Sequence, residues 1–158
     1  MESTVRELAS EETHALRLAV SADGRTDLPT MHHELADAPG AWHLGAVDLT
    51  AGRVTAISSF YPMACPLRPE AWPAVQLQFM AVDPALQRQG LGSAIMAEAI
   101  RRLKASDAVL LWASTRDSAV PFCERFGFHT IGGSASVPAS TGRPHHLIQL
   151  DLDALRRG

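Results

Sequence analysis

The chain has 158 residues, of which 46% are hydrophobic and 20% charged, with a net charge of −3 and a pI near 6.1. That length suits one domain spanning 1–158 with a real core, and the composition is far from the disordered signature. The acidic balance offers no basic field for a phosphodiester backbone, and no apolar run reaches the roughly 20 residues of a membrane helix, so neither nucleic acid nor membrane is expected as a partner. Met1–Ser10 lacks a cationic leader region, which makes the cytoplasm the default location. Cys65 and Cys123 are too few for a disulfide scaffold, and the pairs His32/His33 and His145/His146 have no cluster that completes a metal set, so no metal is expected.

In chain order, Ser3–Leu8 reads as a short strand, and Ser10 followed by Glu11 and Glu12 reads as a helix N-cap with an acidic first turn. Ala15, Leu16, Ala19 and Val20 then recur at helical spacing, a loop is expected over 22–29, and a short second helix over 30–38 ends at Pro39 and Gly40. Trp42–Leu49 and Arg53–Tyr61, joined through Gly52, predict a β-hairpin. The proline-rich segment 62–73 is a connecting loop. Val75–Val82 alternates as a strand with Val75, Leu77, Phe79 and Ala81 on one face.

Gly90–Lys104 predicts an amphipathic helix along Leu91, Ile95, Ala99 and Leu103. Ala108–Ala113 is a strand, and Asp117–Phe126 a helix stopped by Gly127. Segments 128–132 and 145–152 read as closing strands around the loop 133–144. Two βα units therefore sit in tandem, and the expected class is α/β.

Chemistry concentrates in Ala81-Val82-Asp83-Pro84-Ala85-Leu86-Gln87-Arg88-Gln89-Gly90-Leu91-Gly92-Ser93, where a strand turns directly into a helix. The first N–H groups of a helix lack intrahelical acceptors and sit at the positive end of its dipole, so they suit a phosphate. Arg88 could add a charged contact, and glycines at 90 and 92 permit close backbone approach. Spacing alone leaves open a simple tight connection. A Walker loop is excluded because no Gly-Lys-Ser/Thr follows, and a dinucleotide fingerprint because the third glycine is missing.

Gln87-x-x-Gly90-x-Gly92 after Val82-Asp83-Pro84 resembles the acetyl-CoA signature of the GNAT acyltransferases, and Phe122-Cys123-Glu124-Arg125-Phe126-Gly127-Phe128 is similar to that family's second hallmark. The resemblance implies a mixed sheet of six or seven strands with helices on both faces, its fourth and fifth strands splayed to admit the pantetheine arm. It implies acetyl-CoA as acyl donor, held by backbone groups of Met80, Ala81 and Val82 and by the N–H groups of Gln87, Arg88, Gln89, Gly90, Leu91, Gly92 and Ser93. Ser114 would bond the pantetheine amides or merely cap the next helix. The implied reaction is direct attack of a small-molecule or peptide amine on the thioester, with dimerisation through sheet edges an open option.

Two positions depart from the family pattern. Cys123 replaces the usual tyrosine acid and is either the proton donor or a small apolar filler, and Gln78 stands where many relatives carry a glutamate. His43, His145 and His146 are alternative bases, or ordinary hydrogen-bonded histidines. The second functional reading is a catalytically weak acyl-CoA-binding or sensor protein on the same fold. No Gly-x-Ser-x-Gly elbow supports a hydrolase.

Overall fold

The computed structural model describes residues 2–22, 38–137, 142 and 144–158. Strand β1 (Ser3–Leu8) is followed by a 3-10 turn (Ser10–Thr13) that runs into helix α1 (His14–Ala22). The residue before the turn is Ala9, whose N–H is taken by the Glu12 carboxylate at 2.8 Å, so Ser10 is not the cap that its side chain suggested. The buried stripe also differs from expectation. Thr13, Leu16 and Arg17 are buried, while Ala15 and Ala19 face outward. The expected loop 22–29 and helix 30–38 lie almost wholly outside the described residues.

The hairpin forms as predicted, β2 (Trp42–Asp48) against β3 (Val54–Pro62), with Gly52 at φ 70° in the turn and a bulge at Ala46/Val47. β1 pairs antiparallel with β2, Leu8 opposite His43. β4 (Ala74–Val82) keeps the expected alternation, with Val75, Leu77 and Ala81 buried.

Helix α2 (Leu91–Lys104) buries Leu91, Ile95, Met96, Ala99 and Leu103. Each large apolar side chain removed from water contributes about 1.5–3 kcal/mol, which outweighs the roughly 1 kcal/mol helix penalty of Gly92. At its C-terminus the Arg156 guanidinium donates to the carbonyls of Leu103, Lys104, Ser106 and Ala108 at 2.7–3.0 Å, so the last orphan acceptors are satisfied.

β5 (Leu110–Arg116) leads through a 3-10 turn (Asp117–Ala119) to a short helix α3 (Val120–Glu124). The predicted ten-residue helix is thus a turn plus five helical residues, with Pro121 in its first turn. Gly127 follows at φ 100°, and a side chain there would also meet Leu150 Cδ1 at 3.3 Å. β6 (His129–Thr130) and β7 (His145–Asp151) close the sheet, and a final helix α4 (Leu152–Arg157), not expected from the sequence, is capped by the Asp151 carboxylate on Ala154 N–H at 3.0 Å.

The seven strands form one mixed sheet in the order β1-β2-β3-β4-β5-β7-β6, accompanied by four α-helices among the described residues. β4 and β5 are parallel and the other specified pairs antiparallel. The chain divides into two compact units, Met1–Tyr61 with Gln78–Ile100, and Pro62–Leu77 with Arg101–Gly158. The first packs Leu8, Leu16, Val47, Ile57 and Ala81 together, with Phe79 beside them. The second packs Cys65, Ala71, Ala74, Leu110 and Trp112.

Candidate functional site

The turn from β4 into α2 is built around Asp83. Its N–H donates to Thr55 O at 2.8 Å, its Oδ1 accepts from Ala85 N–H at 2.9 Å, and its Oδ2 meets Arg53 Nη2 at 2.7 Å. One carboxylate therefore ties the end of β4 to the start of β3 and starts the 3-10 turn Pro84–Leu86. Gln87 returns to an extended conformation, Arg88 takes the left-handed φ of 66°, and Gly90 stands at φ 81°. The first helical bond of α2 is Ala94 N–H to Gly90 O at 3.0 Å, so the N–H groups of Leu91, Gly92 and Ser93 precede the hydrogen-bonded ladder.

Gln87, Arg88, Gln89 and Gly90 are exposed, Gly92 and Ser93 half-buried, and Leu91 is buried by its side chain. A Cβ built on Gly90 has nothing within 4 Å, so within the protein this glycine answers a backbone conformation and not a crowded space. Just upstream, Met80 and Val82 are half-buried and Ala81 is buried. The ladder between β4 and β5 covers three pairs, Ala74–Leu110 to Gln76–Trp112, and β4 continues for six residues beyond it. Met80, Ala81, Val82 and Gln87–Ser93 thus form one continuous segment of the first unit. Gln78 lies on the same strand and is half-buried.

Ser114 and Cys123 belong to the second unit. Ser114 is exposed on β5 opposite Leu147, and Cys123 is 4% exposed on α3. Burial pushes the Cys123 thiol up to about 11, and the neighbouring Glu124 charge adds to the effect. His146 Nε2 is paired with Asp117 Oδ1 at the end of β5, and His145 is half-buried.

Sequence reasoning missed a polar group inside the first unit. Arg17 is 3% exposed, with Nε donating to Thr13 Oγ1 at 3.3 Å and Nη2 to Ser59 Oγ, and its guanidinium lies 4.5 Å from the Phe79 ring centroid. His43, also buried, places Nδ1 2.7 Å from the same Ser59 Oγ. A charged residue on the Thr13, Leu16, Arg17, Val20 stripe was the available signal, because arginine at a core position of a helix demands partners. His43 also lines a cavity of about 250 Å³ between the end of β1 and the start of β2, together with Ser10 and Trp42. Ser10 Oγ and Ser58 Oγ are buried without a hydrogen-bond partner among the described residues.

At the β4–α2 junction a strand thus runs into a glycine-bearing turn and a helix with open N–H groups, within a seven-stranded mixed sheet. Residues 46–130, more than half of the chain, match the model of the acetyltransferase (GNAT) domain, and the chain belongs to that family. No curated protein sequence matches the chain. Among solved structures it is similar to the ribosomal-protein-S18-alanine N-acetyltransferase from Escherichia coli, with 18% identity and a TM-score of 0.71 over 96% of this chain and 94% of that one. An N-acetyltransferase from Staphylococcus aureus gives 16% identity and a TM-score of 0.71 over 96% and 99%. An aminoglycoside 6'-N-acetyltransferase complexed with coenzyme A gives 10% identity and 0.72 over 94% and 97%. At such identities the likeness carries the fold alone. No helix among the described residues is long and apolar enough to cross a membrane.

Proposed function

We propose that this acyltransferase uses acetyl-CoA as donor and an amine of a small molecule or peptide as acceptor, working as one domain. The observation that carries the reading is the β4–α2 connection, where left-handed Arg88 and Gly90 deliver the open N–H groups of Leu91, Gly92 and Ser93 to an exposed turn. In this reading the N–H groups of Gln87–Ser93 hold the phosphates, Arg88 adds charge, and the unladdered part of β4 offers backbone groups of Met80, Ala81 and Val82 to the pantetheine arm and thioester. Two free, buried cysteines fit a reducing compartment such as the cytoplasm.

Transfer is direct. The neutral amine nitrogen forms a bond to the thioester carbonyl carbon, a base or water takes its proton, the C–S bond breaks, and the CoA thiolate leaves and is protonated. A thiol at about 11 keeps its proton at neutral pH but is a poor donor to a thiolate of ordinary basicity, since the transfer is uphill by roughly 3 kcal/mol. Cys123, buried on α3 and holding its proton, therefore acts as apolar packing, and the CoA thiolate leaves as the anion and takes its proton from bulk solvent after release. Gln78 has no basic lone pair to offer, which leaves the base to a histidine or a water chain.

Calorimetric titration with acetyl-CoA, followed by a CoA-release assay on a panel of amines, tests the reading. Binding on the order of micromolar Kd together with amine-dependent CoA release is the expected result. Undetectable binding overturns it, and binding without turnover on any amine moves the protein to the acyl-CoA-sensor class.

A further inference from the structure

Of the six large hydrophobic side chains exposed among the described residues, three come from the connection between β3 and β4: Met63 at 37%, Leu67 at 49% and Trp72 at 56%. That connection is firmly held. Met63 N–H donates to Ala74 O at 3.1 Å, Trp112 Nε1–H to Met63 O at 2.8 Å and Val109 N–H to Pro73 O at 2.8 Å, while Arg68 Nη1 donates to Gln149 Oε1 at 2.8 Å. Cys65 and Ala71, from the same stretch, are buried in the core of the second unit. The segment thus contributes to the core and still holds an indole in water, without the burial that a tryptophan gains by turning inward. An exposed indole on an anchored frame is the form that an interface anchor takes.

Trp72 borders a cleft of about 300 Å³, whose apolar lining is completed by Ala71, Val109 and Leu110. Its polar lining sets three carboxylates, Glu70, Asp151 and Asp153, against one guanidinium, Arg68. Arg68 Nε pairs with Glu70 Oε2 at 3.2 Å, and Arg156 Nη1 with Asp153 Oδ1 at 2.8 Å. Asp151 Oδ1 accepts from Ala154 N–H, a neutral donor, at 3.0 Å. Even with Arg156 counted beside Arg68, the carboxylates outnumber the guanidinium groups here. Negative potential, on a chain of net charge −3, draws cations, and the face of an indole attracts the same charge through its quadrupole. Every residue of the lining belongs to the second unit.

We propose that this cleft docks a lysine or arginine side chain of a partner peptide. The alkyl stem packs against Trp72 and the apolar lining, and the charged end meets the carboxylates of Asp151 and Glu70. The volume, at the bottom of the range for ligand pockets, suits one long side chain. Leu67, exposed beside Arg68 in the chain, offers apolar surface to the residues that flank that side chain, which favours a peptide over a free amine. The site shares no residue with Met80–Val82 or Gln87–Ser93, so the proposal stands or falls separately from the acetyl-CoA reading.

The test follows the indole N–H signals of the three tryptophans by NMR, without acetyl-CoA, during titration with end-blocked tetralysine, tetra-arginine and, as neutral control, tetraglutamine. Trp72→Phe identifies the Trp72 signal. The basic peptides should shift that signal saturably, less tightly at high salt, and should leave the buried Trp112 signal in place. Tetraglutamine should not shift it. Trp72→Ala should weaken the basic peptides at least ~5-fold with an unchanged circular dichroism spectrum. Glu70→Gln, at a side chain 69% exposed, should weaken them about 2-fold, and it decides where Trp72→Ala fails to fold. No saturable shift, an equal shift with tetraglutamine, or undiminished binding to the variants overturns the proposal, the last by marking a general acidic surface. Equal affinity for N-acetyl-lysine amide would make this a small-amine site. A Trp72 signal that moves with protein concentration alone would assign the face to a second copy of the chain. Either result defeats the peptide assignment.

Discussion

At Gly90 the φ of 81° lies where a side chain is disfavoured, although the surrounding space is open. Gly90→Ala should therefore cost about 1–2 kcal/mol through backbone strain alone, readable as a lower urea midpoint. Gly92→Glu acts differently, since it sets a carboxylate among the N–H groups that head α2. It should weaken acetyl-CoA at least ~10-fold by titration, and unchanged affinity would remove the phosphate assignment.

Cys123 allows a signed pH prediction. Its folded-state value, about 11, is raised above its ordinary value of 9.0, so the folded chain binds more protons between these two pH values. The associated stability is full below pH 9 and is lost as pH rises towards 11, by on the order of 2–3 kcal/mol. Urea unfolding from pH 8 to 11 should show this decline in the wild type and a shallower one in Cys123→Ala. The same variant should keep its kcat near neutral pH if the thiol is packing, whereas a large kcat loss with the fold intact would restore it as the acid.

Among the elements, the β4–α2 connection depends on Asp83, which contributes a cap to Ala85 N–H and an ion pair with half-exposed Arg53. Asp83→Ala should cost about 1–2 kcal/mol, mostly from the cap, because the exposed Arg53 partner adds little. Asp83→Asn keeps an acceptor and should cost less. Thermal denaturation of both variants ranks the two contributions, and equal losses would contradict this division. Elements of this local kind were legible in the sequence: the hairpin through Gly52, the alternation of β4 and the apolar stripe of α2 all follow from neighbours in the chain. Ser10 was misread because the turn begins one residue earlier than its side chain suggests, with Ala9 in the cap position and the Ala9 N–H satisfied by Glu12. α3 was read too long because an apolar run does not show that its first turn tightens into a 3-10 turn at Asp117–Ala119.

For the whole molecule, ligand binding and stability are linked. Acetyl-CoA at 100 times its Kd should raise unfolding free energy by about 2.7 kcal/mol, seen as a higher Tm. Plain CoA should also stabilise, since the phosphate contacts assigned to Gln87–Ser93 are shared, while Gly92→Glu should lose most of the shift for both. A wild-type Tm insensitive to either compound would contradict the assignment.

The segment from Met80 to Ser93 could be recognised without coordinates because its chemistry is sequential: a strand, a turn needing positive φ, and the unpaired N–H groups of the helix that follows. Burial is not sequential. Whether Ala15 or Arg17 faces inward depends on β3 and β4, which are brought against α1 from more than 40 residues away in the case of Ser59. The same holds for Arg156, which reaches back about 50 residues to close the end of α2. It also holds for Cys123, whose sequence position left proton donor and apolar filler both open and whose burial raises its pKa. Local periodicity and turn chemistry specify the elements and the glycine-bearing β4–α2 turn, because both act between neighbours in the chain. Desolvation and charge pairing, which decide what a side chain can do, arise only when distant segments meet.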